Sequence, residues 1–275
     1  MAGERHFQIV VPVHGRHEVT ERYLGSWFAL AARPLDLLIL DNGSAEPVAE
    51  QAFIEGWRRG GHRVRVVRNA TNTGVYPTFQ QGFDATDAPW IYYTHNDVEM
   101  RVEGWDDQLE WLLHALERGA NPGICGMFGA RGLGTPDIYR APYDFRQMVR
   151  WECTTVASMT FAGGKTIAGQ AHRVAVLDGF ALIVRRRMVE QALGGRFDHE
   201  RFPVHHMYDH DICLESHYGG FENYVINLDC FHDGGQTSKD GQWAEAMGTT
   251  DRQIHRRAHV VFYEKWRGRL PVSVP

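Results

Sequence analysis

The chain has 275 residues, 43% hydrophobic and 23% charged, with 29 basic against 34 acidic side chains for a net charge of −5. That balance excludes a globally basic binder of duplex nucleic acid and leaves only local patches to consider. Four cysteines, Cys125, Cys153, Cys213 and Cys230, fall in no CxxC pair, so they read as reduced, packed thiols rather than a disulfide scaffold or a zinc knuckle.

The first apolar run, Phe7 to Val13, is too short for a secretion signal or a membrane span, and no later run is long enough to cross a bilayer. The chain therefore reads as soluble and cytoplasmic. The β-branched residues of that run predict a buried parallel strand. Val19, Tyr23, Trp27 and Leu30 follow at helical spacing. Leu35 to Leu40 is a second strand, ended by the turn composition of Asp41 to Ser44. Ala49, Phe53 and Trp57 form one helical stripe, Val64 to Val67 a third strand, and Trp90 to Thr94 a fourth, reached through a loop at Asn72 to Gly74 and a third helix. This alternation predicts right-handed βαβ units and a parallel sheet.

Beyond this the rhythm changes. Trp105, Leu109, Leu112, Leu113 and Leu116 predict an amphipathic helix, and Gly123 to Phe128 a strand. Residues 129–170 are rich in Gly, Pro, Arg and aromatics without periodicity, the mark of a long irregular insertion of the kind that is functional or mobile. Trp105, Tyr139, Tyr143, Phe145 and Trp151 could stack on a ligand ring or simply pack loops onto the core. A strand region at Val174 to Val184, broken at Asp178-Gly179, precedes helices near Arg187–Leu193 and Asp211–Tyr218 and a strand at Tyr224–Leu228. The segment Arg252 to Arg269 has six basic residues against one acid, which fits a solvated helix face as well as contact with an anionic acceptor or membrane surface.

In an open parallel sheet, ligands bind beyond the carboxyl ends of the strands. Those ends are Pro12-Val13-His14, Asp41 to Ser44, Asn69 to Gly74, and His95-Asn96-Asp97-Val98-Glu99. The last offers carboxylates suited to a hard divalent cation. Neither GxGxxG nor GxxxxGK[ST] is present, so no dinucleotide fingerprint or P-loop is implied.

The strings Val-Val-Pro-Val-His14, Leu-Asp-Asn-Gly-Ser44, Asn-Thr-Gly74 and Tyr-Thr-His-Asn-Asp-Val-Glu99 resemble the nucleotide-sugar half of a family 2 glycosyltransferase with the GT-A fold. Leu177-Asp-Gly-Phe180, Tyr208-Asp-His-Asp-Ile-Cys-Leu214 and Cys230-Phe-His-Asp-Gly-Gly235 resemble its acceptor-side motifs, and Phe262-Tyr-Glu-Lys-Trp266 its tail. The resemblance implies an α/β fold of GT-A type, a mainly parallel Rossmann-like sheet flanked by helices with an acceptor-binding C-terminal half. Residues 1–115 would bind the nucleotide sugar, 116–250 the acceptor, and 251–275 form a helical tail, all in one continuous domain.

By the same resemblance, Asp97 binds the metal, Mn²⁺ or Mg²⁺, with Glu99 as a second or water-mediated ligand and His232 supplying an imidazole to the metal or the diphosphate. Asp41 accepts from the imide N–H of uracil or thymine, which favours a UDP or dTDP sugar. Pro12 and His14 line the base pocket, Asn96 meets the ribose, and Asn72 and Gly74 pack ribose and diphosphate. Asp209 is the base that takes the acceptor hydroxyl proton, with Asp211 next in line. Two departures stand out: His-Asn-Asp97 replaces Asp-x-Asp, and Tyr208 replaces the family's Glu before the base. Without the resemblance, Asp41 reads as a turn residue and Asp209 as a helix cap. Histidine is unusually common, 15 in all. The densest group, His205-His206 with His210, invites a zinc reading, but neighbouring residues on a helix point apart, so it reads as acceptor-pocket wall. The function implied is a metal-dependent, inverting glycosyltransferase with a hydroxyl acceptor. A nucleotidyltransferase of similar fold and a non-catalytic nucleotide-sugar binder remain as rivals, and the acceptor and oligomeric state stay open.

Overall fold

The computed structural model describes residues 6–134, 151–153, 157–158, 165–234 and 249–275. Tyr139, Tyr143, Phe145 and Gly235, singled out above, lie outside them. The strands of the first half are apolar at nearly every position because both faces of the sheet are covered. Along β1 (Phe7–Val13), Ile9, Val11 and Val13 enter one core cluster while Val10 enters the other. β1 pairs in parallel with β2 (Asp36–Asn42) and with β4 (Trp90–Thr94), and β2 pairs in parallel with β3 (Arg63–Asn69). The connections are α1 (His17–Ala29), a 3₁₀ turn at Val48–Glu50 followed by α2 (Ala52–Arg59), and α3 (Val75–Asp84). The expected stripe of Ala49, Phe53 and Trp57 is thus split in two. Gln51 is extended between the pieces, and the 3₁₀ turn is held by the Asp41 carboxylate, which accepts from Val48 N at 3.1 Å.

The next elements are β5 (Val98–Met100), α4 (Trp105–Gly119), β6 (Pro122–Gly126), β7 (Phe128–Ala130) and β8 (Gly132–Leu133). The strand expected over 123–128 divides at Met127, its two halves joining different sheets. Trp105 is fully buried and donates its indole N–H to Trp27 O at 3.0 Å, so it belongs to the core rather than to a sugar platform. β9 (Trp151–Cys153), β10 (Ala157–Ser158), β11 (Lys165–Thr166), β12 (Ala171–Val174), β13 (Val176–Leu177) and β14 (Ala181–Arg185) follow. Then come α5 (Arg186–Ala192), α6 (Tyr208–Tyr218), β15 (Glu222–Ile226), β16 (Cys230–His232), α7 (Asp251–Trp266) and β17 (Val272–Ser273).

Eight strands form the main sheet in the order β12-β15-β6-β14-β4-β1-β2-β3. It is mostly parallel: β14 runs antiparallel between β4 and β6, and β12 antiparallel to β15 at the edge. The small sheet β10-β16-β5 matters most for the site, because its register sets His232 opposite Val98, beside Asp97. No helix among the described residues is long and apolar enough to cross a membrane.

The basic C-terminal segment is not a wholly solvated face. α7 opens with a capping box, Thr250 and Gln253 exchanging bonds, and buries Ile254, Ala258, His259, Phe262 and Trp266. Its Lys265 ammonium lies 2.8 Å from carboxylate oxygens of Asp198, Asp211 and Glu215. Trp266 donates to Asp211 Oδ1 at 2.8 Å. Burial pushes the Asp211 carboxyl up to about 6, with Lys265 and Trp266 pulling the other way. Replacing Lys265 with Met leaves Asp211 buried without its cation, which should cost about 3–5 kcal/mol at neutral pH. Urea melts should show that loss shrinking as the pH falls below 6 and Asp211 takes up a proton; an equal loss at both pH values would refute this account.

Candidate functional site

The loops beyond β1, β2 and β4 meet the start of α6 around a cavity of about 270 Å³. Polar residues at strand ends cannot enter the sheet, and here they tie the loops to one another. Asn42, at the end of β2, donates to Asn72 Oδ1 (2.9 Å) and Gly74 O (3.1 Å) and accepts from Asn69, Thr73 N and Thr73 Oγ1. Gly74 has φ +89°, and a Cβ there would lie 2.3 Å from Pro203 O, so only glycine lets this loop pass under the 203–204 backbone. The crossing is fixed by Val75 N donating to Val204 O at 2.7 Å.

Pro12, His14, Asn72, Gly74, Asn96, Asp97 and Asp209 all line the cavity. His14 Nδ1 lies 3.0 Å from Asn42 O, and Asn96 donates to Thr20 Oγ1 at 2.8 Å. Of the other residues named from the sequence, His232 does not line the cavity but sits 3.3 Å from Asp97, and three stand elsewhere. Asp41 is fully buried, its oxygens accepting from Ser44 N, Val48 N and Arg68, so it closes the turn behind the cavity wall. Glu99 follows the alternation of β5 away from the cavity and pairs with Arg101 at 3.6 Å. Asp211, two residues past Asp209 and so on another side of α6, is the buried anchor of Lys265 and Trp266.

Asp97, His232 and His95 converge. His232 Nε2 is 3.3 Å and His95 Nδ1 4.0 Å from Asp97 Oδ1, and the three ligand atoms lie within 4.8 Å of one another. The His232 ring stacks on Phe180 with centroids 4.6 Å apart. Burial pushes the His95 imidazole down to about 4, although a third of its side-chain surface still opens on the cavity. His95 is therefore neutral at neutral pH, with a lone pair to offer. One carboxylate and two imidazoles fit a first-row divalent cation, and suit Mn²⁺ better than Mg²⁺, which prefers an all-oxygen shell.

On the facing wall, Asp209 Oδ2 accepts from Gly179 N at 3.0 Å, and Oδ1 accepts from His210 N and lies 2.9 Å from His210 Nδ1. A carboxylate offers about four acceptor positions, so this one retains capacity for a further donor from the cavity. Burial works to raise the Asp209 pKa, but the charge and hydrogen bonds of His210 outweigh it and hold the group below the ordinary carboxylate range. His210 is raised in turn, Asp209 overcoming its burial. Asp178 also lines the cavity, pushed up to about 6 by burial and then by the charge of Asp209.

Asp178, His95, Asn42 and Tyr208 also line the cavity; the sequence placed Asp178 on the acceptor side, His95 beside the metal aspartate and Asn42 at a strand end without giving any of them a direct role. Their signal was present, since each sits inside or beside a recognised motif, but nothing in one dimension shows which way a side chain faces. The histidine cluster also differs from expectation. His205 and His206 precede α6 rather than lying on a helix, and left-handed backbone at His206 and Met207 (φ +70° and +63°) lets both imidazoles reach one partner, Asp251. Both do line the cavity.

The family model of glycosyl transferase family 2 matches residues 8–169. No curated protein matches the chain. Among solved structures, GalNAc-T7 with UDP, GalNAc and Mn²⁺ superposes with a TM-score of 0.60 at 13% identity, over 88% of this chain and 47% of that one. This chain thus spans under half the length of GalNAc-T7. Residues 1–349 of S. aureus TarS give 0.57 at 10% identity, over 96% and 72%. A mannosyltransferase from Pyrobaculum calidifontis, in complex with GDP-Man and Mn²⁺, gives 0.57 at 10% identity, over 98% and 76%.

The Asp209–His210 pair has a pH signature. The stability from Asp209 is present above the ordinary carboxylate pKa and lost as pH falls through its depressed value. That from His210 is present below the ordinary imidazole pKa and lost as pH rises through its raised value. Both contribute fully between about pH 4 and 6.5. Replacing His210 with Gln should remove the decline on the alkaline side of that window in urea melts run from pH 4 to 9; a profile of unchanged shape would sink the pairing.

Proposed function

The chain belongs to glycosyl transferase family 2 and has its GT-A fold, and from that premise we propose that it transfers a sugar from a nucleoside diphosphate donor to a hydroxyl acceptor, with inversion at the sugar carbon. The observation that carries this reading is the opening of Asp97, His95 and Asp209 on one cavity at the carboxyl ends of the parallel strands, with His232 3.3 Å from Asp97. Asp97, His95 and His232 would hold a divalent cation, Mn²⁺ before Mg²⁺, which when bound supplies positive charge to the diphosphate as it departs.

The remaining work falls to the chain itself. Pro12, His14 and Asn96 face the base and ribose, while Asn72 and Gly74 bring backbone close to the diphosphate. Asp41 acts through the turn it closes rather than by touching the donor, which withdraws the contact on which a UDP or dTDP preference rested. Glu99 and Asp211 take no direct part. Asp209, kept ionised by His210, accepts the acceptor proton as the hydroxyl oxygen attacks the sugar carbon from the side opposite the leaving diphosphate. Gly179 N–H fixes the orientation of that carboxylate, and Tyr208, whose hydroxyl lies 3.3 Å from Gly179 O, fixes Gly179. The acceptor enters from the side of residues 178–179 and 205–209.

Incubation with UDP, dTDP and GDP sugars and Mn²⁺, with products read by mass spectrometry, tests the whole reading. Asp209→Asn should reduce transfer by about 10²- to 10⁴-fold, the usual range for a lost general base, while nucleotide affinity holds. Asp97→Asn should instead abolish the Mn²⁺ dependence of nucleotide binding. Full transfer by Asp209→Asn, or Mn²⁺-dependent binding that survives Asp97→Asn, would overturn the corresponding assignment.

A further inference from the structure

We infer that His205, His206 and Asp251 form a second metal site, of zinc type, on the acceptor wall of the cavity and separate from the Asp97 cluster. His205 Nε2 and His206 Nε2 lie 2.7 and 2.8 Å from the same Asp251 oxygen, and the three candidate ligand atoms fall within 4.8 Å of one another. Two imidazoles and a carboxylate are a recurring zinc donor set. With metal–ligand bonds of about 2.0–2.2 Å, neighbouring ligand atoms of a tetrahedral site stand roughly 3.3–3.5 Å apart. The Asp251 oxygen has only to withdraw by about 0.6 Å from each imidazole to admit the ion, a shift within the reach of side-chain rotation.

A further feature favours an ion here. His255 is one helical turn beyond Asp251 on α7, and its ring centroid lies 4.7 Å from that of His206 at 86°, which brings a third imidazole beside the group. Binding would shift the Nε2 protons of His205 and His206 to Nδ1 or to solvent, leaving a lone pair on each bonding nitrogen.

The place in the fold gives the ion a role. It would fasten the first turn of α7 to the segment before α6, whose Pro203 and Val204 lie over Gly74. That fixes the wall facing the donor loop without touching the reacting atoms.

Anomalous diffraction at the zinc edge from wild-type crystals equilibrated with zinc should show a peak within bonding distance of His205, His206 and Asp251. In solution, zinc should still bind the His232→Ala chain, in which the Asp97 cluster is broken. Adding His206→Ala or Asp251→Asn to that chain should weaken binding at least tenfold, the scale on which even an outer partner of a zinc site is felt. No peak at this position, or undiminished zinc affinity in both double variants, would overturn the site. Neither result bears on nucleotide binding at Asp97.

Discussion

The structure depends on one close crossing of backbone, where Gly74 passes beneath Pro203 and Val204. The loop through Gly74 and the 203–204 segment, far apart in the chain, approach there more closely than any Cβ would allow, and the Val75–Val204 hydrogen bond locks them. Without that contact the strand ends would form an open shelf. With it they become one cavity, whose floor carries Asp97 and whose far wall carries Asp209. Asn42 serves the same end from below: its amide bonds to the 69–74 loop at several points and so holds the loop's shape.

Charge is distributed over this cavity by environment rather than by residue type. Asp178 and Asp209 are both buried, yet they are driven in opposite directions. Asp178 is pushed up because it feels burial and its neighbour's charge, whereas Asp209 is pulled down because it owns His210 and two backbone N–H groups. Two carboxylates side by side cannot both ionise cheaply, and the partners decide which one does. A base for a hydroxyl proton has to be the ionised member, which is why His210 matters as much to the assignment as the aspartate.

Much of this was legible in the sequence. The four parallel strands, their crossover helices and the strand-end positions of Pro12, Asn72, Asn96 and Asp97 follow from apolar runs ended by turn residues. The failures share a cause. Asp41, Glu99 and Asp211 stand at motif positions, but a motif fixes only the place of a residue along the chain. Arg68 and the 44–48 turn claim Asp41, the alternation of β5 turns Glu99 away, and Lys265 claims Asp211 from 54 residues downstream. Likewise no local pattern marks the left-handed pair His206-Met207, so the expectation that adjacent histidines diverge was sound for a helix and inapplicable to this loop.

The histidines now sort by burial rather than by number. Burial lowers the pKa of His95, His205 and His255, each near a carboxylate, which favours the neutral imidazole. His210 alone among the shifted histidines moves upward, because Asp209 bonds to it directly. Imidazoles meet carboxylates at three places, His95 and His232 at Asp97, His210 at Asp209, and His205 and His206 at Asp251, and each carboxylate decides what its imidazoles can do.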